Sequence, residues 1–232
     1  MKYKHIFFDL DHTLWDFDTN AKESLEELFT EFALQQQGIP DFAAFYDTYF
    51  KHNEILWDRL RKGYISRKDL RSKRMWHTLL DFQITDQALS DAMGDRYLEI
   101  LPLKDRLLPG AVETLDDLKR KGYPLHLITN GFEATQHLKM QSAGIQHYFD
   151  EVVTSESAGR PKPHQQIFQY ALDKTGCLAV DALMIGDALE IDVLGAQQAG
   201  MDSVYYNPAV PAYNGIRPTY TIGGLSELQH IL

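Results

Sequence analysis

One cysteine, Cys177, stands in a chain of 232 residues. No disulfide can form within it, which fits a reducing compartment. Long apolar runs are missing too: the opening stretch His5-Ile6-Phe7-Phe8 is cut short by Asp9, far below the length of a signal core or a membrane span. Positive charge is scarce, with 23 Lys and Arg against 33 Asp and Glu, a formal net charge of −10. That balance argues against wholesale binding of a nucleic-acid polymer or an anionic membrane, while leaving room for a local basic pocket. There is no internal repeat and no low-complexity tract. The expectation is a soluble, cytoplasmic protein, monomer or homodimer.

What is present is ample for a packed core: 44% apolar and 12% aromatic residues. The length exceeds one average domain and falls short of two full ones, which favours one core carrying an insertion. Residues 4–14, KHIFFDLDHTL, organise the rest. The apolar run is too short for a helix and lacks alternation, so it reads as a strand buried on both faces, as parallel strands usually are. Asp9 then lies at the strand's carboxyl end, where open parallel sheets bind ligands. Asp11, two residues on, can face the same small volume. Two such acids repel unless a cation sits between them.

Residues 15–20 read as a loop leading into a helix, with Asn20 and Glu23 spaced as a capping box. From there to about Leu101 the pattern is helical throughout, with breaks at Gly38-Ile39-Pro40 and at residues 63–66. After Pro102 and the Leu108-Pro109-Gly110 turn, helices alternate with short apolar strands ending at Thr129, near Val153, at Gly186-Asp187 and at Tyr206. Such alternation implies an α/β fold, a Rossmann-like doubly wound parallel sheet. Residues 1–15 and 102–232 would form this core, and 16–101 an inserted all-helical cap.

In a parallel sheet the strand tips share one edge, so Asp9, Asp11, Thr129 and Asp187 can meet in one crevice. Lys162 joins them just before a helix opened by Pro163. This inventory suits phosphoryl transfer. Phosphate monoester hydrolysis is so slow unaided that enzymes accelerate it by up to ~10²¹-fold. An Asp approaching a phosphate dianion is repelled by roughly 4 kcal/mol per unit charge pair at ~4 Å and an effective dielectric of ~20. A Mg²⁺ held by Asp9, Asp187 and main-chain oxygen near Asp11, with the Lys162 ammonium opposite, would offset that. Asp9 could attack phosphorus, Asp11 protonate the leaving oxygen and later activate water, and Thr129 with the Asn130 and Gly131 amides hold the phosphate oxygens. Taken singly each group has an ordinary alternative: a solvated turn for Asp9 and Asp11, a helix cap for Thr129, Asn130 or Asp187, a surface lysine for Lys162.

FFDLDHTL, LITNG, GRPKP and MIGDALEID, in that order, resemble the four signatures of the haloacid dehalogenase superfamily of phosphohydrolases. DLDHTLWDFDTNA, EILWDRLRKGYISRKDLRSKR and LLPGAVETLDDLK further resemble the bacterial pyrimidine 5′-nucleotidases that also take noncanonical nucleoside monophosphates. The resemblance implies Asp9 as nucleophile, Asp11 as acid and base, Thr129 and Lys162 as phosphate anchors, and Asp187 as metal ligand. Mg²⁺ is the implied cofactor. Two positions depart from the pattern. His12 stands where many members have Gly or Asn, and Gly186 precedes Asp187 where some have a second acid. Asp192 is then the supporting carboxylate, an outer partner of Lys162 or of the metal's waters, with Thr13 behind the first pair.

The expected substrate is a small phosphorylated metabolite, a nucleoside 5′-monophosphate first, with sugar phosphates or phosphoglycolate next. A phosphomutase, a dehalogenase or a phosphorylated receiver are the more distant readings. Trp15, Phe17 and Trp57 could stack on a base, though core or hinge packing suits aromatics equally. Arg59, Arg61, Lys62, Arg67, Lys68, Arg71, Lys73 and Arg74 form a basic cluster. It reads as a solvated helical face paired with acids, or as a rim attracting nucleotides. The histidines show no ligand spacing and read as structural.

Overall fold

A computed structural model describes residues 2–207 and 215–232. The chain divides into two compact units, Met1–Phe17 with Asp105–Leu232, and Asp18–Lys104.

The first unit is built on a sheet of six parallel strands. In chain order these are β1 (His5–Phe8), β2 (Leu125–Thr129), β3 (Glu151–Thr154), β4 (Ala182–Gly186), β5 (Asp202–Tyr206) and β6 (Tyr220–Ile222). Their order across the sheet is β3-β2-β1-β4-β5-β6, and α5 (Ala111–Arg120) leads into β2. β1 therefore lies where the winding changes direction, between β2 and β4, with Phe8 opposite Leu127 on one side and Ile185 on the other. A crevice at that reversal is the expected ligand site of a doubly wound sheet. β2 and β4 are buried at every position, so both faces are covered, and a continuous apolar run is what such a strand requires. Over one face Ile167, Phe168, Ala171 and Leu172 pack with Phe7, Ile128, Val153, Met184 and Ala196. β6 has no counterpart in the sequence reading, because Tyr220-Thr221-Ile222 is a three-residue edge strand with one buried side chain.

The second unit is helical: α1 (Phe17–Glu31, beginning at the last residue of the first unit), α2 (Phe42–Arg61), α3 (Arg67–Asp81) and α4 (Gln87–Ile100). The glycine breaks are where the sequence puts them, and both Gly38 (φ 105°) and Gly63 (φ 75°) sit in the left-handed region open to glycine. The Asp41 carboxylate accepts from the Ala44 amide to cap α2, Ser66 and Asp69 form a reciprocal capping box on α3, and Asp86 accepts from the Leu89 amide on α4. The capping box expected at Asn20 and Glu23 is corrected. α1 starts three residues before Asn20, which lies buried inside the helix with its carbonyl accepting from Ser24. Within the basic cluster Arg61 and Lys62 pair with Asp58, Arg71 with Asp95, and Lys73 with Asp69. Arg74 is not on that surface at all. It is buried, its guanidinium 4.9 Å from the centre of the Tyr97 ring.

Candidate active site

The ladder of β1 continues one residue past the strand, the Asp9 amide donating to Ile185 O at 2.9 Å, and this fixes Asp9 at the reversal point. Its side chain is nearly buried and accepts from Lys162 Nζ at 2.6 Å. Lys162 belongs to the loop before α7 (Gln165–Thr175), and two hydrogen bonds tie it to the tip of β2. The Asn130 Nδ2 group donates to Lys162 O at 2.9 Å, and the Lys162 amide donates to Asn130 Oδ1 at 2.6 Å. Held this way, the Lys162 ammonium also donates to Ile128 O at 2.6 Å and pairs with Asp192 Oδ1 at 2.6 Å. The side chain of Asn130 is thus committed to placing Lys162.

From the tip of β4, Asp187 meets Thr13 twice. The Asp187 amide donates to Thr13 Oγ1 at 3.1 Å, and that hydroxyl donates to Asp187 Oδ1 at 3.2 Å. A wide helical turn over Leu189–Val193, running into α8 (Leu194–Gln198), swings Asp192 back toward the strand tip. There its Oδ2 accepts from the Ala188 amide at 3.1 Å. Gly186 makes this return possible, since a Cβ at that position would lie 2.4 Å from the Asp192 carboxylate.

Carboxylate oxygens of Asp9, Asp187 and Asp192 all lie within 4.8 Å of one another. Burial raises the Asp9 pKa to about 8 against the pull of Lys162. Burial, with the Asp192 charge second, raises that of Asp187 to about 7. For Lys162 burial acts downward and is outweighed by Asp192 and Asp9, so its pKa rises. One fixed cation facing three acids leaves a deficit of positive charge. That donor set, all hard oxygens, fits a Mg²⁺ ion. Asp192, expected as an outer partner of Lys162, pairs with that ammonium and also stands in the acid group. The Asp11 carboxylate is not among these three, so a part for Asp11 in metal binding rests on its main-chain oxygen alone.

On β2, Thr129 is buried and its Oγ1 accepts from the Gly131 amide at 3.1 Å. His12 adopts φ 62°, the left-handed conformation that explains why Gly or Asn is at ease there.

The sequence reading did not find the partners of Asp11. They come from α6 (Glu133–Ser142): Lys139 Nζ donates to Asp11 Oδ1 at 2.5 Å and Gln136 Nε2 to Oδ2 at 2.9 Å. Burial acts to raise the Asp11 pKa, but the Lys139 ammonium outweighs it and holds the carboxyl below its usual range. A signal was available, since Gln136, Lys139 and Met140 are the buried positions of this helix, two polar residues on its inner stripe. Trp15 is fully buried with Lys139 Nζ 4.0 Å from its ring centre. Phe17 lies 5.3 Å from the same nitrogen and 4.8 Å from the His12 ring. Trp15 therefore packs in the interior of the first unit, the core reading offered beside base stacking, while Phe17 is half-buried there. Trp57 and Arg61 lie on α2 of the helical unit.

A family model described as "haloacid dehalogenase-like hydrolase" matches residues 3–200. The pyrimidine 5′-nucleotidase PynA of Streptococcus pneumoniae is 33% identical over 98% of this chain and 94% of its own. The pyrimidine 5′-nucleotidase YjjG of Escherichia coli is 32% identical over 100% and 99%. A glyceraldehyde 3-phosphate phosphatase of Methanothermobacter thermautotrophicus is also 32% identical, over 99% of each chain. Among solved structures, the putative hydrolase YfnB of Bacillus subtilis bound to magnesium superposes with a TM-score of 0.89 at 29% identity, covering 100% and 99%. The chain belongs to the haloacid dehalogenase-like hydrolases, and its full-length relatives include phosphoric monoester hydrolases.

Proposed function

We propose that this enzyme is a Mg²⁺-dependent phosphatase that hydrolyses nucleoside 5′-monophosphates, pyrimidine ones first, through an aspartyl-phosphate on Asp9. The observation that carries the reading is the placement of one buried ammonium, Lys162, against both Asp9 and Asp192, with Asp187 alongside.

In this mechanism an Asp9 oxygen attacks phosphorus while Lys162 offsets the charge of the incoming phosphate oxygens. The Thr129 hydroxyl and the main-chain amides of Asn130 and Gly131 hold those oxygens in line. Asp11, ionised beside Lys139 in the free enzyme, gains a proton as the negative phosphate arrives, gives it to the leaving nucleoside oxygen, and then takes one from the water that hydrolyses the phosphoenzyme. Asp9, Asp187 and Asp192 would hold the Mg²⁺, which supplies positive charge against the transferring phosphoryl group. Thr13 keeps Asp187 oriented. Residues 16–101 act as a mobile cap that shields the phosphoenzyme and selects the substrate, Trp57 and Arg61 contributing.

The nucleotide preference draws on the two nucleotidase relatives. Small sugar phosphates are the second reading, favoured by the glyceraldehyde 3-phosphate phosphatase relative at similar identity. The test is phosphate release from dUMP, dTMP, UMP, glucose phosphates, phosphoglycolate and glyceraldehyde 3-phosphate, with Mg²⁺ and with chelator. Pyrimidine monophosphates should show the highest kcat/KM, and chelator should abolish turnover. Equal turnover of every compound, or full activity in chelator, would overturn the proposal.

A further inference from the structure

Among the described residues of the first unit, Lys139 is the one group that is both charged and deeply buried yet performs no step in the mechanism above. It is 2% exposed, on the inner stripe of α6. A lysine is rarely placed so deep without a charge partner. Here the partner is Asp11, and the surroundings leave the ammonium little freedom, with the face of Trp15 at 4.0 Å and Phe17 at 5.3 Å. Cation–π contact of this kind gains strength when it is desolvated.

Gln136, one turn earlier, takes the other carboxylate oxygen of Asp11. Its path is narrow. A Cβ at Gly131 would lie 1.6 Å from Gln136 Nε2 and 2.4 Å from its Cδ, so the glycine of the Thr129-Asn130-Gly131 turn is what lets Gln136 reach across. The aromatic pair after β1, the turn after β2 and the inner face of α6 thus converge on one carboxylate, and both of its oxygens are held by nitrogen donors.

We infer that Lys139, assisted by Gln136, is a positioning residue for Asp11: it holds this carboxylate apart from the Asp9, Asp187 and Asp192 group, in the orientation from which, once the charge of the bound phosphate has drawn a proton onto it, the leaving-group oxygen receives that proton. This rests on the phosphatase reading. It assigns Trp15 and Phe17 the task of fixing the ammonium, and Gly131 that of admitting Gln136.

A leaving-group comparison tests it. kcat/KM covers the steps through departure of the leaving group. A nucleoside alkoxide needs a proton as it leaves, whereas p-nitrophenolate departs without one. For Lys139→Met, kcat/KM on dUMP should fall about 10²-fold, within the usual range for a lost proton transfer. On p-nitrophenyl phosphate it should fall by less than about 3-fold, well inside that range. Asp11→Asn should show the same selectivity, and the double variant should be no worse than Asp11→Asn alone, since residues that act as a unit are not additive. Lys139→Arg should recover part of the loss. Should Lys139→Met fail to fold, Gln136→Leu carries the same comparison with a smaller selective loss. Equal losses on both substrates, or additive losses in the double variant, would overturn the inference. An unaltered enzyme that releases phosphate from neither substrate would instead overturn the phosphatase reading.

Discussion

Asp9, Asp11 and Asp187 announce themselves in the sequence because each closes or follows a short apolar run, and a strand tip is where a polar side chain meets a crevice; Lys162 stands out only through the GRPKP stretch before a helix. Lys139 and Gln136 do not, because helix α6 offers only polar residues and one Met to its buried stripe, which hides the inner face among the outer ones. Trp15 admits two readings from sequence, core packing or a stacking platform, and only coordinates reveal a buried ring with a cation on its face. Lys162 is the residue whose removal the site tolerates least. With Lys162→Met, three clustered acids keep no fixed cation, and breaking a buried pair commonly costs about 3–5 kcal/mol. Thermal unfolding should show this variant strongly destabilised in chelator and recovering more with added Mg²⁺ than the unaltered protein does. An absence of any Mg²⁺ effect on either melting point would contradict the three-carboxylate site.

Elements were legible where period and punctuation agreed. The α/β alternation, five of the strands and the glycine breaks of the helical unit all follow from short apolar runs and left-handed glycines. The turn from α3 to α4 carries neither Gly nor Pro: Gln83 takes the left-handed conformation at φ 61°, which no propensity argument singles out. Asn20 and Glu23 matched a capping pattern, but helix α1 had already begun, since tertiary packing of its buried face overrides a local cap signal. One element contact is testable by a single methyl group. Gly195 lies against α7 so closely that a Cβ would be 2.5 Å from the Phe168 ring and 3.1 Å from Pro163 Cα. Gly195→Ala should therefore cost about 1–3 kcal/mol by overpacking. Denaturant unfolding measures this, and an unchanged midpoint would show that the loop before α7, which carries Lys162, yields readily.

For the molecule as a whole, no helix among the described residues is long and apolar enough to cross a membrane. Acid sensitivity is set partly by a histidine pair at the end of the sheet away from the acids. His5 Nδ1 and His126 Nε2 are 2.9 Å apart with stacked rings, and burial, with His5 second, lowers the His126 pKa from 6.5 to about 4. The unfolded chain takes up this proton first as pH falls. Stability from this source is full above pH 6.5, then declines toward pH 4, by about 2 kcal/mol at pH ~5. Chemical denaturation should show a His126→Leu variant losing less stability between pH ~7 and ~5 than the unaltered protein; equal losses would refute this. The central claim is that remote segments build one phosphoryl-transfer centre on Asp9. Acid-quenching the enzyme during turnover of dUMP and locating phosphate by mass spectrometry tests it most directly. A phosphoryl group on the peptide containing Asp9, absent from Asp9→Asn, is the predicted result. Turnover that persists in Asp9→Asn, or a phosphoryl group on another residue, would contradict it.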